Sequence, residues 1–186
     1  MSATPLWLNT QAYRVDANRL SKMVDILPGK KDGYLEPLDN GTGVKIVAGT
    51  RIALQGDDSI WRGYEFATDT EITASYLDAG TAFELGKDYY VYLSQDGVLI
   101  VSQNITAPSG YTIDNTRKIG GFHYGRVRTA AQRFDAAASL AIQVIPNSVW
   151  DLINRPNCPD PSGMVKVGDF WVDIYLSRFP SLIVRL

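Results

Sequence analysis

One histidine, one cysteine and a pair of adjacent aspartates are the residues from which any chemistry in this chain must be assembled. His123 lies in the run Ile119–Val127 (IGGFHYGRV), between Phe122 and Tyr124. A nucleophilic triad needs a serine and a carboxylate brought to that imidazole, and the sequence has no G-x-S-x-G elbow. A lone His in an aromatic strand reads as a hydrogen-bonded structural residue, because a reactive site needs several convergent groups. Asp57-Asp58 fall in QGDDS, where Asp serves as a turn former rather than in the alternating oxygen pattern of a calcium loop. Cys158 has no Cys or His partner at zinc spacing and no second Cys for a disulfide. The Gly41-Thr42-Gly43 and Gly120-Gly121 pairs lack the Lys-Ser/Thr and helix start of a phosphate loop. No catalytic residue, cofactor or metal is therefore expected, and the chain does not read as an enzyme.

The elements that hold these residues are short. From Tyr34 to Val127 the pattern is β: Val44–Ala48 and Thr50–Leu54 around Gly49, then Tyr64–Ala67 and Thr70–Tyr76. The clearest signal is Tyr89–Ser94, Gln95-Asp96-Gly97, Val98–Ser102, two Val/Tyr/Ile-rich runs joined through Asp-Gly. Ile119–Val127 reads as a further strand, with a bulge or a close backbone approach at Gly120-Gly121. Six to eight short strands with frequent turns predict a mainly β fold, an antiparallel sandwich or barrel-like domain. No helical pattern is long enough to serve as a parallel crossover.

Two stretches depart from that pattern. In Ala17–Leu27 apolar residues recur at Leu20, Met23, Val24 and Leu27, which predicts a short N-terminal helix stopped by Pro28-Gly29. Residues 129–141 are rich in Ala and fit a short helix or an exposed loop equally well. The expected organisation is an N-terminal docking segment at 1–33, a β-domain at 34–128, and a connector with a Trp/Pro-rich segment at 129–186. The closing FPSLIVRL is β-prone and mostly apolar, so pairing in a sheet or cover by another subunit is expected.

A net charge of −2 argues against a nucleic-acid partner, which calls for a basic face. The cluster Arg117, Lys118, Arg126, Arg128 and Arg133 is interrupted by Gly and Ala and reads as scattered surface charge. No apolar stretch reaches membrane-spanning length, and the N-terminus lacks a basic region followed by an apolar run. Synthesis and folding in a reducing cytoplasm are expected.

Ile145–Leu176 carries two of the four tryptophans, the cysteine and four of the nine prolines. Aromatic anchors between proline-fixed turns suit a rigid docking segment, and they suit a loop-rich core edge as well. Trp150, Asp151, Arg155, Trp171 and Tyr175 are the packing and turn-fixing positions singled out here as interface candidates.

Tyr89–Gly125 (YYVYLSQDGVLIVSQNITAPSGYTIDNTRKIGGFHYG) and Ile145–Leu176 (IPNSVWDLINRPNCPDPSGMVKVGDFWVDIYL) carry the ordered pieces N-T-R-K-I-G-G-F-H, S-V-W-D-L, R-P, P-x-G-M-V and W-V-D-I-Y-L. In these the chain resembles the bacteriophage and prophage tail proteins related to the major tropism determinant, including variable proteins of diversity-generating retroelements. The resemblance implies β-rich modules that fix a receptor-binding protein to the virion, often as a trimer, ahead of a C-type-lectin-like domain. Nearly all of that lectin-like domain has no counterpart here, so no receptor-contacting residue carries over. The expectation is a virion structural protein of the tail-fibre or baseplate region, assembled in the host cytoplasm. It would be a homotrimer bound to other virion proteins and would serve attachment to a host surface receptor directly or as an adaptor. A capsid decoration or head-fibre protein is the first alternative. A carbohydrate-binding module using Tyr90 and Tyr92 is the second.

Overall fold

The computed structural model describes residues 4–6, 26–132, 134–153, 161–168 and 170–174. Fourteen short strands occur in that part of the chain, and every ladder between them is antiparallel. One sheet runs β1 (Thr4–Leu6), β6 (Trp61–Phe66), β5 (Thr50–Gln55), β2 (Ile26–Leu27). A second runs β3 (Leu35–Pro37), β4 (Gly43–Ile46), β7 (Thr70–Thr73). The largest runs β11 (Ala141–Val144), β10 (Thr116–Val127), β8 (Lys87–Ser94), β9 (Leu99–Ser102), with β12 (Trp150–Asp151) also paired to β10. A two-stranded ribbon, β13 (Met164–Val167) with β14 (Phe170–Asp173), stands outside these three sheets. The mainly β, antiparallel class expected from the strand spacing is the one that forms.

Alternation along the strands builds one core between the three sheets. Val44 and Ile46, Ile52 and Leu54, Tyr64 and Phe66, Ile72, and Tyr89, Val91 and Leu93 all turn into it, with Ile119, Phe122, Val144 and Val149. The second face of β8 is buried too: Tyr90 and Tyr92 join Ile100 and Trp150 in a smaller cluster. A strand covered on both faces has no need to alternate, which is why β8 reads as an unbroken run of large residues.

The β8–β9 hairpin closes as its turn residues require. Ser94 N–H donates to Val98 O, Gly97 N–H donates to Ser94 O, and Gly97 has φ +78°. A three-residue loop with Gly in the left-handed region is a standard hairpin connection. In β10 the register shifts between Lys118 and Gly120. The same place is a close approach. A Cβ on Gly120 would lie 2.4 Å from Trp150 O, and one on Gly121 would lie 2.6 Å from Tyr89 O. Both features anticipated at this glycine pair are present.

The N-terminal helix needs correction at its end. Ile26 and Leu27, the last two residues of the expected helix, form β2 and pair with Ile52 and Arg51. Ile26 packs on the main core there, and the open edge of β5 gains a partner. The rest of that predicted helix, residues 17–25, lies outside the described residues. Thr70–Tyr76 is a strand only to Thr73, after which Ala74–Tyr76 form a single 3-10 turn. In the Ala-rich stretch, residues 130–132 make a 3-10 turn and β11 begins at Ala141, so no α-helix forms among its described residues.

Candidate interaction site

Trp150 and Asp151 sit where the sheets meet. β12 pairs Trp150 with Gly121 and Asp151 with Gly120. The Asp151 carboxylate is fully buried and accepts three main-chain hydrogen bonds. Tyr34 N–H and Leu35 N–H reach Oδ2 at 2.5 and 2.9 Å, and Ile153 N–H reaches Oδ1 at 2.8 Å. These donors need an acceptor because Tyr34 and Leu35 are themselves buried at the edge of the β3 sheet. The Tyr34 hydroxyl continues the joint by donating to Ile119 O. Trp150 is 2% exposed and meets the Tyr90 ring edge-on at 6.5 Å. Lys118 Nζ stands 4.7 Å from the centre of that same tyrosine ring.

The ribbon is fixed to the outer face of this sheet. Trp171 packs on the Tyr90–Trp150 cluster. At the ribbon's base a turn closes with Met164 N–H donating to Pro161 O, and Ile174 N–H donates to Gly163 O. The Tyr90 hydroxyl lies 2.9 Å from Ser162 Oγ, and Gly163 N–H donates to Asp88 Oδ1 at 2.9 Å. His123 Nδ1 meets the same carboxylate oxygen at 2.9 Å, across the strand pair His123–Asp88. The crevice between sheet and ribbon leaves essentially no room even for a water molecule, so it is not a small-molecule pocket.

His123, Asp88 and Ser148 all line this crevice, yet they are not wired as a nucleophile and its base. Ser148 Oγ accepts the main-chain N–H of His123 and donates to Ile145 O, so the hydroxyl is spent on backbone. The histidine is 3% exposed and hydrogen-bonded to Asp88 within its strand pair.

Register divides the ribbon into two unlike faces. Val165 pairs with Val172 and Val167 with Phe170, while Lys166 pairs with Trp171 and Met164 with Asp173. The face that carries Trp171 is turned to the sheet. The opposite face is wholly apolar, and on it Val167, Phe170 and Val172 are 58, 75 and 49% exposed. Of the five interface candidates, Trp150 and Asp151 lie at the joint and Trp171 on the ribbon. Arg155 and Tyr175 lie outside the described residues, as does Cys158. Sequence reasoning passed over Asp88, Ser162 and the exposed ribbon face. The signal was there in MVKV-GD-FWVD, two alternating runs around a Gly that takes φ +61°.

Tyrosines 90 and 92, proposed as a sugar platform, are 5 and 1% exposed, and the Tyr92 hydroxyl is spent on Asn104 O. The ribbon and sheet bury their rings, so they offer no stacking surface. Three residues of the basic cluster are used locally, Arg117 donating to Ala53 O, Lys118 to Ile105 O, and Arg128 to Gln132 O and Asp135 O, while Arg133 lies outside the described residues.

A family model described as the Mtd second domain matches residues 37–151. The chain belongs to that family. The match takes in β4 through β12 and ends on Asp151, so the joint lies inside the Mtd second domain and the ribbon follows it. A tail fiber receptor-binding protein of Bordetella phage BPP-1 is 40% identical over 132 residues, covering 70% of this chain and 31% of the relative. Among solved structures, the U1 variant of the Major Tropism Determinant matches with a TM-score of 0.67 and 33% identity over 86% of this chain. The P3c variant matches with a TM-score of 0.65 and 33% identity over 81%. The chain spans about a third of the length of these relatives, 31 to 39%.

Proposed function

We propose that this chain is a bacteriophage virion protein of the tail-fibre or baseplate region that serves host attachment, either directly or as the adaptor for a receptor-binding chain. The observation that carries this reading is the 40% identity to a tail fiber receptor-binding protein over 70% of the chain. The geometry agrees in kind. The described residues form a scaffold held by buried aromatic and backbone contacts, and the polar groups that would have to do chemistry are tied to main chain or to each other. In this reading the protein works by binding, in the virion, after assembly in the host cytoplasm.

We also propose that it acts as a homotrimer. The apolar ribbon face of Val165, Val167, Phe170 and Val172, exposed at the last three, supports self-association, because a two-stranded ribbon with an uncovered apolar face gains by burying it. Immunogold labelling of intact particles, with disrupted particles as control, tests the placement. Gold at the tail tip or fibres is expected; gold over the head would replace attachment by capsid decoration, and no gold would end the surface reading. Sedimentation equilibrium of the purified chain tests the trimer, and a strict monomer at micromolar concentration would overturn it.

A further inference from the structure

The ribbon's seat on the sheet combines apolar packing with an unusual polar seam. Asp88 and Tyr90 are two residues apart on β8 and point to the same face. They reach consecutive residues of the turn at the ribbon's base: the Tyr90 hydroxyl meets Ser162, and Asp88 Oδ1 accepts Gly163 N–H. Gly163 has φ +68°, a conformation that side chains rarely adopt. The other partner of Asp88 is His123, whose main chain is locked in β10 and to Ser148. The carboxylate therefore hangs from a rigid sheet and holds a turn that belongs to a separate element.

The seat is also incomplete. The indole N–H of Trp171 is buried and meets no hydrogen-bond acceptor among the described residues. A buried donor left unmet weakens the arrangement that contains it. The ribbon thus rests in a position that its own polar groups do not all favour. Bonds at its base offset that strain.

We infer that Asp88 is a latch: its carboxylate holds the β13–β14 ribbon as a strap in a seat that leaves Trp171 unsatisfied, and releasing it lets the strap lift without unfolding the sheet. The inference concerns the isolated chain and stands apart from the attachment reading.

Amide hydrogen exchange of the full chain, with the Trp171 indole resonance followed by NMR and assigned through Trp171→Phe, tests it. In Asp88→Ala the amides of β13 and β14 exchange about tenfold faster, as loss of a part-buried hydrogen bond implies. The Trp171 indole proton becomes solvent-exchangeable in the same variant, while β8 and β10 keep their protection. Asp88→Asn restores the ribbon to near wild-type exchange, because the amide oxygen still accepts Gly163 N–H. Ser162→Ala removes the neighbouring tie and accelerates the ribbon alone by a smaller factor. The inference is overturned if Asp88→Ala does not accelerate ribbon exchange, whatever Ser162→Ala does. It is equally overturned if Asp88→Ala fails to fold or the sheet loses protection in parallel, since Asp88 would then support the whole fold.

Discussion

Asp151 shows what one side chain contributes when its partners are main-chain amides far away in sequence. Its oxygens serve Tyr34, 117 residues earlier, together with Leu35 and Ile153. Asp151→Ala strands buried donors, each costing about 1–3 kcal/mol. A loss of about 3 kcal/mol or more in urea unfolding is expected, and a loss below about 1 kcal/mol would mean that water replaces the carboxylate freely. A surface carboxylate behaves otherwise. The Arg62 guanidinium, with help from Ile60 N–H, holds the Asp58 carboxyl down at about 2, against an ordinary 3.8. Its folded value is depressed, so its contribution is complete above about pH 4 and disappears as pH falls towards 2. Asp58→Asn should remove that part of the acid dependence of the unfolding midpoint and leave the neutral range nearly flat. An unchanged acid limb would show that the Arg62 pair is dispersed in solution.

Elements in this fold are defined by what covers them. Trp150 fills the space between β10 and the ribbon, and Trp150→Ala is expected to cost about 3–5 kcal/mol, as large-to-small core changes do. Calorimetry or urea titration reads this directly, and a value near zero would place the ring in solvent. Gly120→Ala tests the same joint from the other side. Its Cβ would lie 2.3 Å from a Leu35 methyl and 2.4 Å from Trp150 O. Because one of those atoms is backbone, a loss of at least about 1–3 kcal/mol is expected from overpacking. The hairpin, the bulge and the glycine contacts were legible in sequence because turn chemistry is local. Ile26 and Leu27 depart from the expected helix because they answer to the open edge of β5, at Ile52 and Arg51, a partner that periodicity does not register. Asp88 escaped notice for a related reason: nothing in KDYY announces a carboxylate shared between His123 and Gly163.

At the scale of the whole molecule, the main core draws on Tyr34 and on β3 through β11 and, among the described residues, ends at Val149. A chain stopped after residue 153 keeps that core and Asp151, and should unfold cooperatively at reduced stability. A chain stopped after residue 140 loses Val144, Val149, Trp150 and Asp151 together and should not fold. Circular dichroism melts of the two truncations decide this; two identical melts would mean that β11 and β12 merely decorate the sheet. The β class was legible because strand spacing and composition constrain it. The division of the strands among three sheets was not, because the chain crosses from β4 to β5 through Gly49 without pairing them.

The tie between Tyr34 and Asp151 also sets a clock. At about 5–20 residues per second on the ribosome, those 117 residues take roughly 6–23 s to make. Throughout that interval the amides of Tyr34 and Leu35 have been synthesised and their acceptor has not. Each nascent chain therefore carries an open strand edge while its neighbours on the same message carry the same one. Slower translation between residues 35 and 151 is therefore expected to lower the share of this protein recovered in soluble form.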